Sequence, residues 1–174
     1  MDELIVKCID GDRKAQYMLY QQYAKAMFNT CYRVVNDVEE AEDVLQEAFV
    51  SAFRNLKTFK GDATFGAWLK RIVINHAINA IRKKKLEVIA FEEGFENIET
   101  EEEADIGEQA LNVAKIKKAM EQLPEGYRIV FSLYLIEGYD HNEISDILGI
   151  SVSTSKSQLN RAKAKLKYLL TQMD

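Results

Sequence analysis

A chain of 174 residues that is 47 % hydrophobic carries enough apolar side chains for one large packed domain or two small ones. Its net charge of −5 argues at first sight against nucleic acid as a partner, and no run of eighteen apolar residues is present to insert stably into a bilayer. Met1 to Asp12 mixes acidic and apolar residues without a basic start, so no signal peptide is expected; Cys8 and Cys31 fit neither zinc-site nor disulfide-framework spacing and are expected as reduced, packed thiols of a cytoplasmic protein.

One Pro and eight Gly among many Ala, Leu, Ile, Lys and Glu, with no alternating β-branched segment, predict an all-α fold. The charge is segregated along the chain. Residues 1–85 hold 14 Lys or Arg against 11 Asp or Glu, residues 86–108 hold none against 10, and residues 109–174 hold 9 against 7. Within the outer blocks the cations bunch into Lys70 to Lys85 and Lys156 to Lys167. The middle stretch LEVIAFEEGFENIETEEEADIGE has dense like charge and no sustained apolar stripe, and is expected as an acidic flexible linker over 86–108 between two small helical domains, 1–85 and 109–174.

In the first block, Ala15, Leu19, Tyr23, Met27, Cys31 and Val34 recur at helical spacing and predict a long amphipathic helix over 12–35, after a break at Gly11. Asp37 and Glu40 form a capping-box pattern that starts a second helix, running to about Leu56 and burying Val44, Leu45, Ala48, Phe49, Ala52, Phe53 and Leu56. Asp43, Gln46 and Glu47 lie on its opposite face, spaced so that one partner can meet all three. Gly61 and Asp62 mark residues 58–64 as a tight loop, and a third helix follows over 65–85. Its expected core face is Leu69, Ile72, Val73, His76, Ala77 and Ala80, with Trp68, Arg71, Asn75, Asn79 and Arg82 opposite.

In the second block a helix is expected over 111–122, stopped at Leu123-Pro124, and a strongly apolar one over 127–136, ended by Gly138. Asp140 and Glu143 repeat the capping-box pattern ahead of Ile144, Ile147 and Leu148, and Gly149 halts that helix. Ser151 then caps a long final helix whose inner arc is Val152, Leu159, Ala162, Leu166, Leu169 and Leu170. Two helices joined by a tight Gly-containing turn, the second with a polar outer face, make a helix-turn-helix pattern.

Two faces therefore suit DNA. On the final helix Ser153, Thr154, Ser157, Asn160 and Arg161 point outward, flanked by Lys156 and Lys163 for phosphates. On the third, Arg71, Arg82 and Lys83 can neutralise backbone charge, Asn75 and Asn79 can bond base edges, and Trp68 can stack on an unpaired base.

The stretch AEDVLQEAFVSAFRNLKTFKGDATFGAWLKRIVINHAINAIRKK resembles regions 2.2 to 2.4 of extracytoplasmic-function sigma factors, and LPEGYRIVFSLYLIEGYDHNEISDILGISVSTSKSQLNRAKAKL resembles region 4 of the same sigma-70 branch. The resemblance implies an alternative sigma factor that directs promoter recognition and DNA melting with the RNA polymerase core enzyme. It implies minus-10 binding by the first domain through Arg71, Asn75 and Asn79, with residues 59–64, including Phe59, Lys60, Gly61 and Thr64, forming a pocket for a flipped base. Asp43, Gln46 and Glu47 match the family's surface for the polymerase clamp helices, and the second domain reads the minus-35 element. An anti-sigma partner and a monomeric free state are further expectations. Ser155 and Gln158 depart from the family's T-V-K-S-R stretch, where an aliphatic residue and an Arg are usual. Ser155 falls in the apolar arc and implies about 1 to 3 kcal/mol less side-chain burial than Val, while Gln158, still counted in the DNA-facing set, implies an altered base preference.

No catalytic group, metal site or cofactor is expected. His76 reads as a core imidazole, His141 has no partner nearby in sequence, and neither a calcium loop nor a Gly-rich phosphate loop occurs. A different class, a helix-turn-helix regulator acting without polymerase, would instead bind duplex DNA alone, as a dimer on paired half-sites.

Overall fold

The computed structural model describes residues 2–88 and 113–173, whose regular structure is helical throughout. Beyond residue 88 the acidic stretch lies outside the described residues, as does the expected helix start at Leu111. The chain forms two compact units.

In the first unit Asp2 accepts the Leu4 N–H at 3.0 Å and opens a short helix, α1 (Glu3–Ile9), that buries Ile5 and Cys8. The sequence pattern gave no sign of it, because one short stretch with two buried positions is too little for a periodicity to show. Asp12 caps α2 (Arg13–Val35) through the Lys14 and Ala15 N–H groups at 2.8 and 3.1 Å. The helix ends at Asn36, in the left-handed conformation at φ 57°, a place that Asn tolerates better than most residues. Ala15, Leu19, Met27, Cys31 and Val34 are buried as the spacing predicts, while Tyr23 is half-buried.

Asp37 accepts the Glu40 N–H at 2.8 Å and starts α3 (Val38–Arg54). The reciprocal half of the capping box is replaced: the Glu40 carboxylate instead accepts from Lys84 of the fourth helix at 3.1 Å. Leu56 is buried in a 3-10 turn (Leu56–Thr58) that follows the helix. The fourth helix, α4 (Phe65–Val88), continues past the expected Lys85, and α2, α3 and α4 pack on one another.

The core face of α4 differs from the expected one by about a quarter turn of the wheel. Leu69, Val73, Ile74, Ala77, Ile78 and Ile81 are buried, whereas Ile72, His76 and Ala80 are only half-buried. Apolar residues stand on most sides of this helix, so its apolar arc has no sharp edge in sequence; packing between α2 and α3 decides which of them go inside.

In the second unit α5 (Val113–Glu121) buries Ala119 and Met120 and stops before Pro124. The next helix, α6 (Glu125–Phe131), begins earlier than expected and runs into a π-turn (Ser132–Ile136), where the Glu137 N–H reaches the Ser132 carbonyl at 2.9 Å. Arg128 is buried there, and its guanidinium donates to the Leu123 carbonyl at 3.3 Å. A complete capping box starts α7 (His141–Leu148): Asp140 accepts the Glu143 N–H at 2.9 Å, and Glu143 accepts the Asp140 N–H at 2.8 Å. Gly149, at φ 68°, ends α7, and Ser151 caps α8 (Val152–Thr171) by accepting the Thr154 N–H at 3.0 Å. The last helix packs on α5, α6 and α7.

Replacing a carboxylate cap leaves a helix-end N–H unsatisfied, so Asp37→Ala is expected to lower the stability of the first unit by about 1 kcal/mol. The chain's one tryptophan, Trp68, lies in that unit, so its fluorescence during urea unfolding reports this transition. A midpoint unchanged within error would show that the cap contributes nothing.

Candidate nucleic-acid interface

An aromatic cluster fixes the loop before α4. Phe59, Phe65 and Trp68 meet pairwise with ring centroids 5.4 to 5.7 Å apart, and Tyr23 of α2 adds an edge contact to Phe65 at 5.3 Å. Gly66 completes the approach of α4 to α2, since a Cβ there would stand 3.1 Å from the Tyr23 ring. Phe59 is therefore buried beneath the loop, and Trp68 is half-buried against it. Lys60, Gly61 and Thr64 are exposed, and the Thr64 hydroxyl accepts the Ala67 N–H at 3.2 Å, which starts α4. Gly61 takes φ 80° at the turn, a conformation that a side chain would strain.

Along α4, Asn75, Asn79, Arg82 and Lys83 are exposed and Arg71 is half-buried. On α3, Asp43, Gln46 and Glu47 are all exposed. Folding brings only part of the two sets together, at one open groove between α3 and α4, with Glu40, Asp43 and Glu47 on one wall and His76, Asn79, Lys83 and Lys84 on the other; Arg71, Asn75, Arg82 and Gln46 do not line it. His76 thus lines a surface groove and is not the core imidazole expected; it also borders an adjoining hollow with Gln46, Glu47 and Arg54. Its spacing put it beside Leu69 and Val73, and the true phase of the buried arc moves it to the rim.

In the second unit Ser153, Thr154, Lys156 and Ser157 are exposed at the start of α8, and Asn160, Arg161 and Lys163 are half-buried further along. The Thr154 hydroxyl lies 2.8 Å from that of Ser151, so it belongs to the helix cap as well as to the outer face. Gln158 turns toward α6, where its Oε1 would sit 3.4 Å from a Cβ at Gly126. That oxygen is buried without a hydrogen-bond partner among the described residues.

Ser155 is fully buried in the apolar arc together with Leu159, Ala162 and Leu166. The expected burial loss is offset by a bond the sequence did not suggest: Ser155 Oγ lies 2.8 Å from His141 Nδ1, at the start of α7. The imidazole also stacks on Tyr134, centroids 4.5 Å apart and planes 20° from parallel. His141 therefore has two partners, one seven residues before it and one fourteen after. Burial, with Lys156 and then Lys163 adding to it against the opposing Asp140, holds the His141 pKa below its ordinary value.

Elsewhere, burial pushes the Cys31 thiol up to about 12 and, with Asp12 and Asp2, raises that of Cys8, so both free cysteines stay protonated at neutral pH. Among the described residues no three His, Cys, Asp or Glu side chains gather to hold a metal ion, and no helix is long and apolar enough to cross a membrane.

Two outcomes are expected for the second unit. Removing with Gln158→Leu the amide whose Oε1 is buried and unpaired among the described residues raises its stability by about 1 kcal/mol, read from its backbone hydrogen exchange; a loss of protection would show that this oxygen has a partner. Because the folded state holds His141 at a lowered pKa, the contribution of neutral His141 is complete above the ordinary value of 6.5 and declines as pH falls below it toward the folded pKa. A calorimetric scan series across that window would show the decline, and His141→Phe would flatten it; an equal slope in both chains would exclude His141 as its source.

Residues 19–87 match Sigma-70 region 2, and residues 114–166 match Sigma-70, region 4. The chain is 33 % identical over 180 residues to the RNA polymerase sigma-H factor of Pseudomonas aeruginosa, covering 97 % of this chain and 92 % of that protein. It is equally 33 % identical over 171 residues to the ECF RNA polymerase sigma factor SigW of Bacillus subtilis, covering 92 % and 91 %. Among solved structures, CnrH in complex with the cytosolic domain of CnrY matches with a TM-score of 0.57 at 25 % identity, over 98 % of this chain and 97 % of that one. The sigma factor RpoE of Bartonella quintana, solved with the anti-sigma factor NepR, shares the fold at a TM-score of 0.60 and 24 % identity, over 89 % and 96 %. With both regions present in order and full-length relatives at this identity, the chain belongs to the extracytoplasmic-function group of the sigma-70 family.

Proposed function

We propose that this chain is an alternative sigma factor that binds the core RNA polymerase in the cytoplasm and directs it to promoters, recognising the minus-35 element through α8 and recognising and melting the minus-10 element through α4. The observation that carries the reading is the pair of polar, cation-bearing helical faces, one in each matched region, each backed by a packed apolar arc. On α4, Asn75 and Asn79 offer amides to base edges, Arg71, Arg82 and Lys83 offer charge to phosphates, and the rim of Trp68 left exposed offers a stacking surface beside the Lys60–Thr64 loop. Buried Phe59 supports that loop from below rather than touching a base. On α8, Ser153, Thr154, Ser157, Asn160 and Arg161 face the groove, with Lys156 and Lys163 at phosphates.

Asp43, Gln46 and Glu47 form the polymerase contact. Domains over 1–85 and 109–174, joined through the acidic segment 86–108, belong to the same reading, as does an anti-sigma factor as regulatory partner. The chain supplies binding and positioning, and the chemistry of RNA synthesis stays with the polymerase.

Core polymerase mixed with this chain and a random promoter library is expected to yield specific transcripts. No specific transcript from any template would remove the proposal, as would tight binding of a dimer to duplex operators without polymerase. Arg71→Ala and Asn75→Ala are expected to lower initiation about tenfold or more while leaving core binding intact, since a lost base or phosphate contact is worth about 1 to 3 kcal/mol. Asp43→Ala and Gln46→Ala should weaken core binding first. Equal effects of both pairs in the two assays would contradict this division of faces.

A further inference from the structure

We propose that a hydrogen bond from the Ser155 hydroxyl to His141 Nδ1, with the ring held flat on Tyr134, is a polar latch that sets how α8 is seated on α7 and thereby positions the minus-35-reading face. The inference rests on the reading of α8 given above. Three observations meet at this point. Ser155 is the fully buried polar residue of the α8 inner arc, at 0 % exposure, and His141 is its hydrogen-bond partner at 2.8 Å. The ring is clamped by Tyr134 from the π-turn, so three consecutive elements converge on one imidazole. Ser155 also lies on the helical turn that carries Ser153, Thr154, Lys156 and Ser157, so any rotation or slide of α8 at this point displaces all four.

The chemistry selects one arrangement of protons. A buried hydroxyl has a single proton to place, and His141 Nδ1 is the acceptor within reach, so the imidazole takes the Nε2–H tautomer. Protonating the ring would put a proton on Nδ1, reverse the bond and leave the hydroxyl proton without an acceptor. The charged groups around the ring act in the same sense: Lys156 and Lys163 of α8 oppose a second positive charge, and Asp140, whose carboxylate is engaged by the Glu143 N–H, offsets them only in part. Neutral His141 is therefore the latched form. An apolar pair at this contact would tolerate small slides between the helices, whereas a directional bond of this length does not. His141 and Ser155 are positioning residues that act on DNA through the helix they hold.

The test uses the full chain, alone and with core polymerase. With 15N-labelled histidine only two imidazoles report, those of His76 and His141. The expected His141 spectrum at neutral pH is that of the Nε2–H tautomer with Nδ1 accepting a bond; Ser155→Ala should give mixed tautomers and a raised pKa, and Ser155→Thr should restore the original pattern. In holoenzyme, Ser155→Ala and His141→Phe should lower minus-35-dependent initiation about threefold to tenfold, the effect of one lost hydrogen bond, and broaden base preference across a randomised minus-35 element. Initiation from a template with the minus-10 region already melted should be unchanged, which excludes unfolding as the cause, and Ser155→Thr should recover base preference. An Nδ1–H tautomer in the unmodified chain would overturn the latch, as would an unchanged minus-35 profile in Ser155→Ala, or Ser155→Thr as impaired as Ser155→Ala. If the unmodified holoenzyme ignores the minus-35 sequence, the DNA-reading role of α8 fails, and the positioning role with it. The tautomer measurement decides the bond independently of that outcome.

Discussion

The burial of one side of α4 between α2 and α3 is the constraint from which the first unit's surface follows. A helix has one rotational phase, so seating Leu69, Val73, Ile74, Ala77, Ile78 and Ile81 inside fixes where every other residue of the helix points. Arg71, Asn75, Asn79 and Arg82 form a single outward stripe because no one of them can move without the rest. The apolar arc dominates energetically: each fully buried Leu, Ile or Val is worth about 1.5 to 3 kcal/mol. The exposed Lys84–Glu40 pair at the far end belongs to a class worth at most about 1 kcal/mol. The pair refines the position of the helix end, and packing of the whole apolar arc against α2 and α3 decides the phase.

The aromatic cluster extends the same control to the loop. Phe59 and Phe65 bracket residues 60–64, so packing two large rings into one core closes the loop over a fixed span. Trp68 then stands half in and half out, a compromise that keeps its inner edge packed on both phenyl rings while leaving surface beside the exposed Thr64 and Lys60. An indole fixed in this way loses little side-chain freedom when it meets a partner, and that favours stacking over a freely rotating ring.

Much of this was legible in the sequence, for reasons that are local. Asp12, Asp37, Asp140 and Ser151 act as helix starts because the bond each makes lies within three residues of it. The apolar spacing of α2 was legible because Ala15, Leu19, Tyr23, Met27 and Cys31 follow one another at every fourth residue, and that of α4 was not, because apolar residues stand on most of its sides and the neighbours choose among them. Helix α1 escaped notice for lack of length. The His141–Ser155 bond was hidden for a different reason: it joins residues fourteen apart across a turn, and a serine in an apolar arc reads as a defect until its partner is known. The shared groove between α3 and α4 is equally a product of tertiary packing, since Asp43 and Lys83 are forty residues apart in the chain and no periodicity links them.

The charge distribution sets how such a protein has to work. Residues 1–85 carry 14 cations against 11 anions and residues 109–174 carry 9 against 7, so each block attracts a polyanion only weakly, and the 10 acidic residues of 86–108 oppose it. Non-specific DNA affinity scales with the number of phosphates neutralised, and here that number is small. On the proposed reading weakness is an advantage, because a chain that held DNA firmly alone would occupy sites where no polymerase is present. Tethering two weak readers, and fixing both on one polymerase, turns the second contact into an intramolecular event at high effective concentration. Selectivity then comes from needing both elements at the right separation, with neither face strong enough to act alone. That is a reason for the cation excess of each block to stay small, with the polar faces of α4 and α8 each held in phase by an apolar arc behind it.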